Sequence, residues 1–277
     1  MPFNMIDVLD LSLLQSARSY DLSVKAERLR SVSELEYLFF RIVRELDPDL
    51  FVEAGAKDGS TSRRARKYLP LATITAFEAN PFTYRRFESA FSAGSGKISY
   101  LHRALSDADG EVTFNVRVVN GKPAADGQGS ILTSQDTSVG HQAVTVNASR
   151  LDTFFPADTF NRCAIWMDVE GASRQVLKGA TSILPQVDAL FIEVQDRPGW
   201  ENQWLSSDVM QFLADFDLMP ICRDFQARYL YNILFLRSVN LRNDRVRLFI
   251  AEHLSNAEKT RNTAKKSRPT IWKLPWT

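Results

Sequence analysis

The stretch Leu50-Phe-Val-Glu53-Ala-Gly55-Ala56-Lys57-Asp58-Gly59-Ser-Thr61 decides how this chain is read. It begins as a short apolar run, ends that run in an acid, Glu53, and then turns through two glycines, Gly55 and Gly59. Such a run bounded by glycine reads as a buried strand, and residues 61–69, stopped by Pro70, read as the helix after it. Glycines allow a tight turn and a close backbone approach to a ligand. A dinucleotide fingerprint would read GxGxxG and set a pyrophosphate on the helix N-terminus. Here the pattern is GxxxG with an acid two residues before it, and an acid there repels phosphate and attracts an ammonium or sulfonium group. Taken alone, the stretch could equally be a simple turn.

The same alternation continues along the chain. Residues 73–77 form an apolar run ending in Glu78, and Pro81 then opens an amphipathic helix through residue 91, with proline in its favoured first turn. Residues 98–101, 164–167 and 189–192 read as further strands, the last two ending in Asp168 and Glu193. Strands alternating with helices indicate a parallel sheet covered on both faces. Residues 219–222 and 229–236 are too close for a parallel crossover, so they are expected as an antiparallel hairpin at a sheet edge. Residues 111–119 alternate with period two, as a half-exposed strand does, and residues 120–140 read as a loop. Before the sheet, residues 33–46 repeat apolar side chains at helical spacing, and residues 1–32 are expected to be helical as well.

Ligands of an open parallel sheet sit beyond the carboxyl ends of its strands. Glu53, Glu78, Asp168 and Glu193 stand at those ends, each directly after an apolar run. A buried strand end is a costly place for an acid unless something pairs with it. Glu78, 25 residues after Glu53, is placed to accept both ribose hydroxyls of an adenosine. That geometry serves NAD as well as S-adenosylmethionine (SAM), but only SAM joins adenosine to an ammonium and a sulfonium without phosphate. The bland alternative for Glu78 is an acid favoured by the dipole of the helix that Pro81 opens.

Over residues 50–238 the chain resembles the FkbM family of SAM-dependent methyltransferases. The resemblance rests on six motifs in order. They are Glu53-Ala-Gly55-Ala56-Lys-Asp-Gly59, Phe77-Glu78-Ala79-Asn80-Pro81, Ala104-Leu105-Ser106-Asp107, Gly129-Ser130-Ile131-Leu132, Leu151-Asp152 and, most specific, Met167-Asp168-Val-Glu170-Gly171-Ala172. Ile192-Glu193 and Tyr231-Asn232 close the match. Ala79 stands where the family has proline, and Lys57 where it often has asparagine. Lys57 would add a cation beside a cationic cofactor, so its side chain is expected to point away from the site.

The resemblance implies a Rossmann-like class I methyltransferase fold of the α/β class. Its sheet is mostly parallel and seven-stranded, with an antiparallel last strand and helices on both faces. It implies SAM contacts with Glu53, Gly55, Ala56, Gly59, Glu78, Ala79, Asn80, Ala104, Leu105, Ser106 and Asp168. It also implies methyl transfer to oxygen, commonly on a sugar, a glycan or a related hydroxylated metabolite. A hydroxyl acceptor must lose a proton, so a positioned base helps. Asp168, Glu170 and His141 are the candidates, while Asp168 and Glu193 could instead hold Mg²⁺ through oxygen ligands. A helix-start acid for Glu170, a loop hydrogen bond for Glu193 and a solvated loop histidine for His141 are the plain alternatives. His102 is expected near adenine. A non-catalytic SAM-binding scaffold, an N-methyltransferase and an NAD-linked oxidoreductase remain competing readings, the last disfavoured by the missing GxGxxG.

Composition fits this reading. The chain has 277 residues, 44% hydrophobic and 24% charged, enough for a sheet between two helical layers. No apolar run approaches the roughly eighteen residues of a membrane span, and residues 1–14 lack the basic start of a signal peptide. Cys163 and Cys222 sit in apolar runs with no CxxC or Cys/His cluster, as buried thiols of a cytoplasmic protein would. Net charge is +1, divided into −5 over residues 1–240 and +6 over residues 241–277. We therefore expect three parts: an N-terminal helical segment over 1–49, the methyltransferase domain over 50–238, and a basic C-terminal extension over 239–277. Residues 241–257 are expected to be helical. The last residues set Trp272 and Trp276 among lysines, which suits a peripheral contact with the anionic inner face of a membrane. The alternative is that the tryptophans dock on the body or on a second subunit of an oligomer. A small-molecule or glycan acceptor is the expected partner, and no nucleic acid is.

Overall fold

The computed structural model describes residues 13, 19–92 and 98–265, with residues 92 and 256–265 as backbone only. Helix α1, Lys25–Leu46, precedes the sheet. Its buried residues Leu35, Leu38, Phe39, Ile42, Val43 and Leu46 recur at three and four, a stripe wide enough to face a core. The helix ends at Asp47, whose φ of 47° breaks the helical path just before Pro48. Arg162 closes this end by donating to the Leu46 carbonyl and pairing with Asp188.

The chain then lays down β1 (Leu50–Ala54), α2 (Ser60–Tyr68), β2 (Thr73–Glu78), α3 (Pro81–Phe87), β3 (Ile98–His102) and the two-residue β4 (Ala104–Leu105). A long hairpin follows, β5 (Gly110–Val119) with β7 (His141–Ser149), and the short β6 (Lys122–Pro123) lies in its connection. After the single turn α4 (Leu151–Phe154) come β8 (Cys163–Met167), α5 (Ser173–Lys178), β9 (Val187–Gln195), α6 (Ser206–Ala214), β10 (Leu218–Arg223), β11 (Leu230–Arg237) and α7 (Asp244–Lys265).

The main sheet has seven strands in the order β10-β11-β9-β8-β1-β2-β3. All run parallel except β11, which pairs antiparallel with both neighbours. The expected hairpin at the edge is therefore present, with β10 outermost. From β1 the chain moves outward through β2 and β3, then returns to lay β8 on the other side of β1. That reversal of order opens a crevice at the carboxyl ends of β1 and β8, where ligands of such sheets bind. The period-two reading of 111–119 also holds: β5 buries Phe114 and Val116 on one face and joins a second, four-stranded sheet ordered β4-β7-β5-β6.

Each face of the main sheet has its own core. On one side α1, α2 and α7 cover Phe51, Ile74, Ala164 and Phe191. Phe39, Phe40, Trp166 and Phe191 interlock there, with Trp166 and Phe191 stacked at 3.9 Å between ring centroids. On the other side α4, α5 and α6 cover Val52, Ile165, Leu190 and Ile233. Cys163 and Cys222 are both buried, and no disulfide joins them. Helix α7 lies on α1 through Arg41–Glu252 and Arg245–Glu45. Among the described residues no helix is long and apolar enough to cross a membrane. Most of the helix expected over 1–32, and the tail with Trp272 and Trp276, fall outside the described residues.

Candidate functional site

A cavity of about 620 Å³ opens at the carboxyl ends of β1, β2, β3, β8 and β9. That lies within the range of roughly 300–1,000 Å³ common for small-ligand sites. Gly55, Glu78, Ala79, Asn80, Ala104, Leu105, Asp168, Glu170 and Glu193 line it, so most of the residues picked from sequence converge on one space. Glu53, Ala56, Gly59, Ser106 and His141 do not line it.

The reason differs for each. Glu53 is buried and turns toward α2, where Oε2 accepts the Ser62 amide at 2.8 Å. Burial pushes its carboxyl up to about 7, against the lowering effect of Ser62 and Thr61. The acid at the end of β1 therefore holds the start of the next helix. Glu53→Ala should cost about 1–3 kcal/mol, the cost of stranding a buried amide, read as a drop in the denaturant midpoint. An unchanged midpoint would show that the Ser62 contact carries no stability.

The two glycines of the loop are also required by neighbouring protein groups. Gly55, at φ +81°, leaves so little room that a Cβ would lie 1.7 Å from the Asp168 carbonyl oxygen. Gly59, at φ +65°, would place a Cβ 2.4 Å from the Phe91 ring. The first binds the loop to the end of β8, and the second lets the aromatic ring close over the helix start.

Glu78 ends β2 and lines the cavity. Its two oxygens accept backbone amides, Oε2 from Lys57 and Oε1 from Asn80, each at 2.7 Å. Burial raises it to about 7, and those two amides act in the opposite direction. Asn80 caps α3 by accepting from the Phe82 and Thr83 amides, while its Nδ2 donates to the Ala124 carbonyl at 3.0 Å. Thr83 donates to the Asp126 carbonyl at 2.9 Å, and Arg117 grips the Asp126 carboxylate. The segment 124–129 is thereby drawn from the expected loop over the cavity, and it contributes Asp126, Gly127, Gln128 and Gly129 to the wall.

Lys57 departs from expectation. Its side chain lines the cavity, and its methylenes pass Gly127. The fold sets Glu78, Asp168 and Glu170 around this ammonium, and its field lowers all three. His102 Nε2 faces the carbonyl of the cavity residue Ala79 at 3.2 Å and its ring stacks on Tyr84, so it supports the β2 end. His141, at the start of β7, packs against Trp200 at 5.9 Å between centroids.

Asp168, Glu170 and Glu193 bring their oxygens within 4.8 Å of one another. Asp168 is exposed by area, but the surface it offers is cavity wall enclosed by protein. Among the described residues no hydrogen-bond donor reaches any of the three side chains. Burial and then the Asp168 charge push Glu170 up to about 8. Burial raises Asp168 as well, and burial followed by repulsion from Asp168, Glu170 and Asp224 raises Glu193. Glu170 holds a left-handed backbone at φ 46°, uncommon outside glycine and found where surroundings over-determine a site. Three acids in one wall, short of partners, are arranged for a proton or a cation.

Several wall residues carried no signal in the sequence. Arg103, Arg117, Asp126, Gln226 and Leu230 lie in or beside loops, outside any motif. The strand ends were readable because burial makes an acid conspicuous there. A loop residue gains its place only when the chain folds back.

The sequence profile described as "Methyltransferase FkbM domain" matches residues 53–225. The 2-O-methyltransferase NoeI of Sinorhizobium fredii is 26% identical over 219 residues, covering 76% of this chain and 88% of that protein. The hexuronic acid methyltransferase AglP of Haloferax volcanii is 27% identical over 123 residues, covering 44% of this chain and 47% of that protein. Among solved structures, methyltransferase FkbM from Methylobacillus flagellatus aligns with a TM-score of 0.44 and 13% identity, over 68% of this chain and 44% of that chain.

Proposed function

The chain belongs to the FkbM methyltransferase family and is a SAM-dependent methyltransferase, and from that membership we propose that its acceptor is a hydroxyl group of a sugar or glycan. The observation that carries the proposal is the carboxylate trio Asp168, Glu170 and Glu193, which accepts no hydrogen bond from the described residues, beside the Glu78 end of the cavity. Bound SAM supplies a methyl group on a cationic sulfur. The residues of this chain fit it: the Glu78 carboxylate lines the cavity and has lone pairs left for ribose hydroxyls, Leu105 and Phe77 offer apolar walls for a base, and the acids favour the positive sulfur. Asp168 stands at the end of β8 as the proton acceptor for the hydroxyl, and Glu170 and Glu193 hold its oxygen-bearing neighbours. The names of the two relatives, one a 2-O-methyltransferase and one acting on hexuronic acid, agree with a sugar acceptor.

A second reading of the trio rests on its chemistry. Three hard carboxylate oxygens without donors suit Mg²⁺, which takes oxygen ligands. Asp168 and Glu193 would be its ligands, and the ion would acidify an acceptor hydroxyl.

The test uses the full chain, SAM labelled in its methyl group and a panel of methyl glycosides that includes 2-amino-2-deoxy sugars. Label on oxygen of a neutral or acidic glycoside is the expected result. Label confined to amino nitrogen, or to none of the panel, overturns the sugar-hydroxyl proposal. Repeating the reaction after dialysis against EDTA separates the two uses of the trio. Transfer that persists assigns it to the proton alone, and transfer lost and then restored by Mg²⁺ assigns it a metal.

A further inference from the structure

Behind the acid trio lies a chain of amides that the reaction described so far does not use. Asp224 is fully buried at the end of β10. Its Oδ1 accepts the backbone amides of Gln226 and Asn232, both at 3.2 Å, and its Oδ2 accepts Asn232 Nδ2 at 2.7 Å. A carboxylate only accepts, so it fixes which end of the Asn232 carboxamide faces it. The same Nδ2 reaches Gln226 Oε1 at 3.3 Å. That contact in turn fixes Gln226: its oxygen is taken by Asn232, and its NH₂ is the end left for the cavity that Gln226 lines. Among the described residues nothing accepts from that NH₂ group.

The mount is stiff. Asn232 sits on β11 directly opposite Glu193 on β9. The hairpin carrying Gln226 is closed by the Ala227 amide donating to the Leu230 carbonyl. It is tied to α1 where the Phe225 amide donates to Ser31 Oγ at 2.9 Å. A neutral donor thus stands on the same wall as three acceptors, Asp168, Glu170 and Glu193.

We propose that Gln226, oriented by Asn232 and Asp224, binds the oxygen neighbouring the methylated hydroxyl, so that the site selects a neutral vicinal diol. The inference rests on the sugar-hydroxyl reading above and narrows it. A diol offers what this wall recognises: one hydroxyl donates to the carboxylates while its neighbour accepts from the amide. A carboxylate on the acceptor would meet the acid trio, while the cations lining the cavity are already engaged: Lys57 faces Glu78, Asp168 and Glu170, Arg103 donates to Ser149, and Arg117 pairs with Asp126. Gln226 is the binding residue, and Asn232 acts through it as a positioning residue.

Kinetics with labelled SAM test this, using neutral methyl glycosides, their monodeoxy analogues and methyl hexuronides. The native enzyme should prefer a neutral glycoside over its hexuronide by about tenfold or more in kcat/KM. Gln226→Met keeps the length of the side chain and removes the donor. It should raise KM for the glycoside about tenfold, with kcat within twofold and the Kd for S-adenosylhomocysteine unchanged. Removing the neighbouring hydroxyl from the acceptor should cost the native enzyme the same factor and cost Gln226→Met nothing further, because the two changes delete one contact. An unchanged KM in Gln226→Met, additive losses, or a preference for hexuronides overturns the inference while leaving sugar methylation intact. A native enzyme that methylates no glycoside overturns the sugar reading, and this inference falls with it.

Discussion

Asp168→Asn is expected to lower kcat for methyl transfer by about 10²–10⁴, the usual contribution of a positioned proton acceptor. The substitution keeps the shape of the side chain and removes its capacity to take a proton. Shape matters because Asp168 stands between two constraints. Its backbone amide donates to Ala54 at 2.9 Å, and its carbonyl lies against Gly55. Neither contact involves the carboxylate, so the fold should survive. Stability should rise slightly, if anything, because Asp168 is one of the charges that raise Glu170 and Glu193. Affinity separates two roles for the charge. S-adenosylhomocysteine has a neutral thioether, whereas SAM has a cationic sulfur. If Asp168 also stabilises that cation, Asp168→Asn weakens SAM and leaves S-adenosylhomocysteine unchanged. Single-turnover kinetics at saturating SAM then isolate the proton role. A kcat within threefold of native would remove Asp168 from the reaction and pass the role to Glu170.

The acids that carry this argument were readable from the sequence for a physical reason. Glu78, Asp168 and Glu193 each follow an apolar run, and a charge at the mouth of a buried strand needs a partner. Strand direction was readable too, since helices between strands enforce parallel crossovers and the short gap before 229–236 does not allow one. What could not be read was anything set by a long-range meeting. The glycines signal a close approach in the sequence, but not that the Asp168 carbonyl and the Phe91 ring are among the groups that approach. A cationic cofactor alone would turn Lys57 away, but the fold surrounds it with three acids. The bond from the Ser62 amide to Glu53 is likewise not legible in the motif, because it depends on how the next helix packs back on β1. Gln226 carried no motif at all. Its position follows from a buried carboxylate eight residues before Asn232, a relation that only the β10–β11 hairpin makes.

Gly55→Ala is expected to cost about 3 kcal/mol of stability and to reduce S-adenosylhomocysteine affinity at least about tenfold. Two costs add. An alanine at φ +81° adopts a conformation that side chains rarely hold, and its Cβ would overlap the Asp168 carbonyl at 1.7 Å. The neighbour cannot yield cheaply, because it is backbone at the end of a strand. The ladder holds both sides: the Gly55 amide donates to Phe77 at 3.0 Å, and the Asp168 amide donates to Ala54. Relief must therefore come from parting β1 and β8, the pair whose ends form the crevice. That movement displaces Asp168 on one side and the Lys57 amide on Glu78 on the other, so cofactor affinity falls along with stability. Gly59→Ala provides the contrast. It meets an aromatic side chain, Phe91, and Gly59 does not line the cavity. Its cost should appear in thermal stability, with affinity within about threefold of native, since a side chain can turn where a strand end cannot. Equal loss of affinity in the two variants would show that the loop acts as one body. Native affinity in Gly55→Ala would show that the β1–β8 junction does not shape the site.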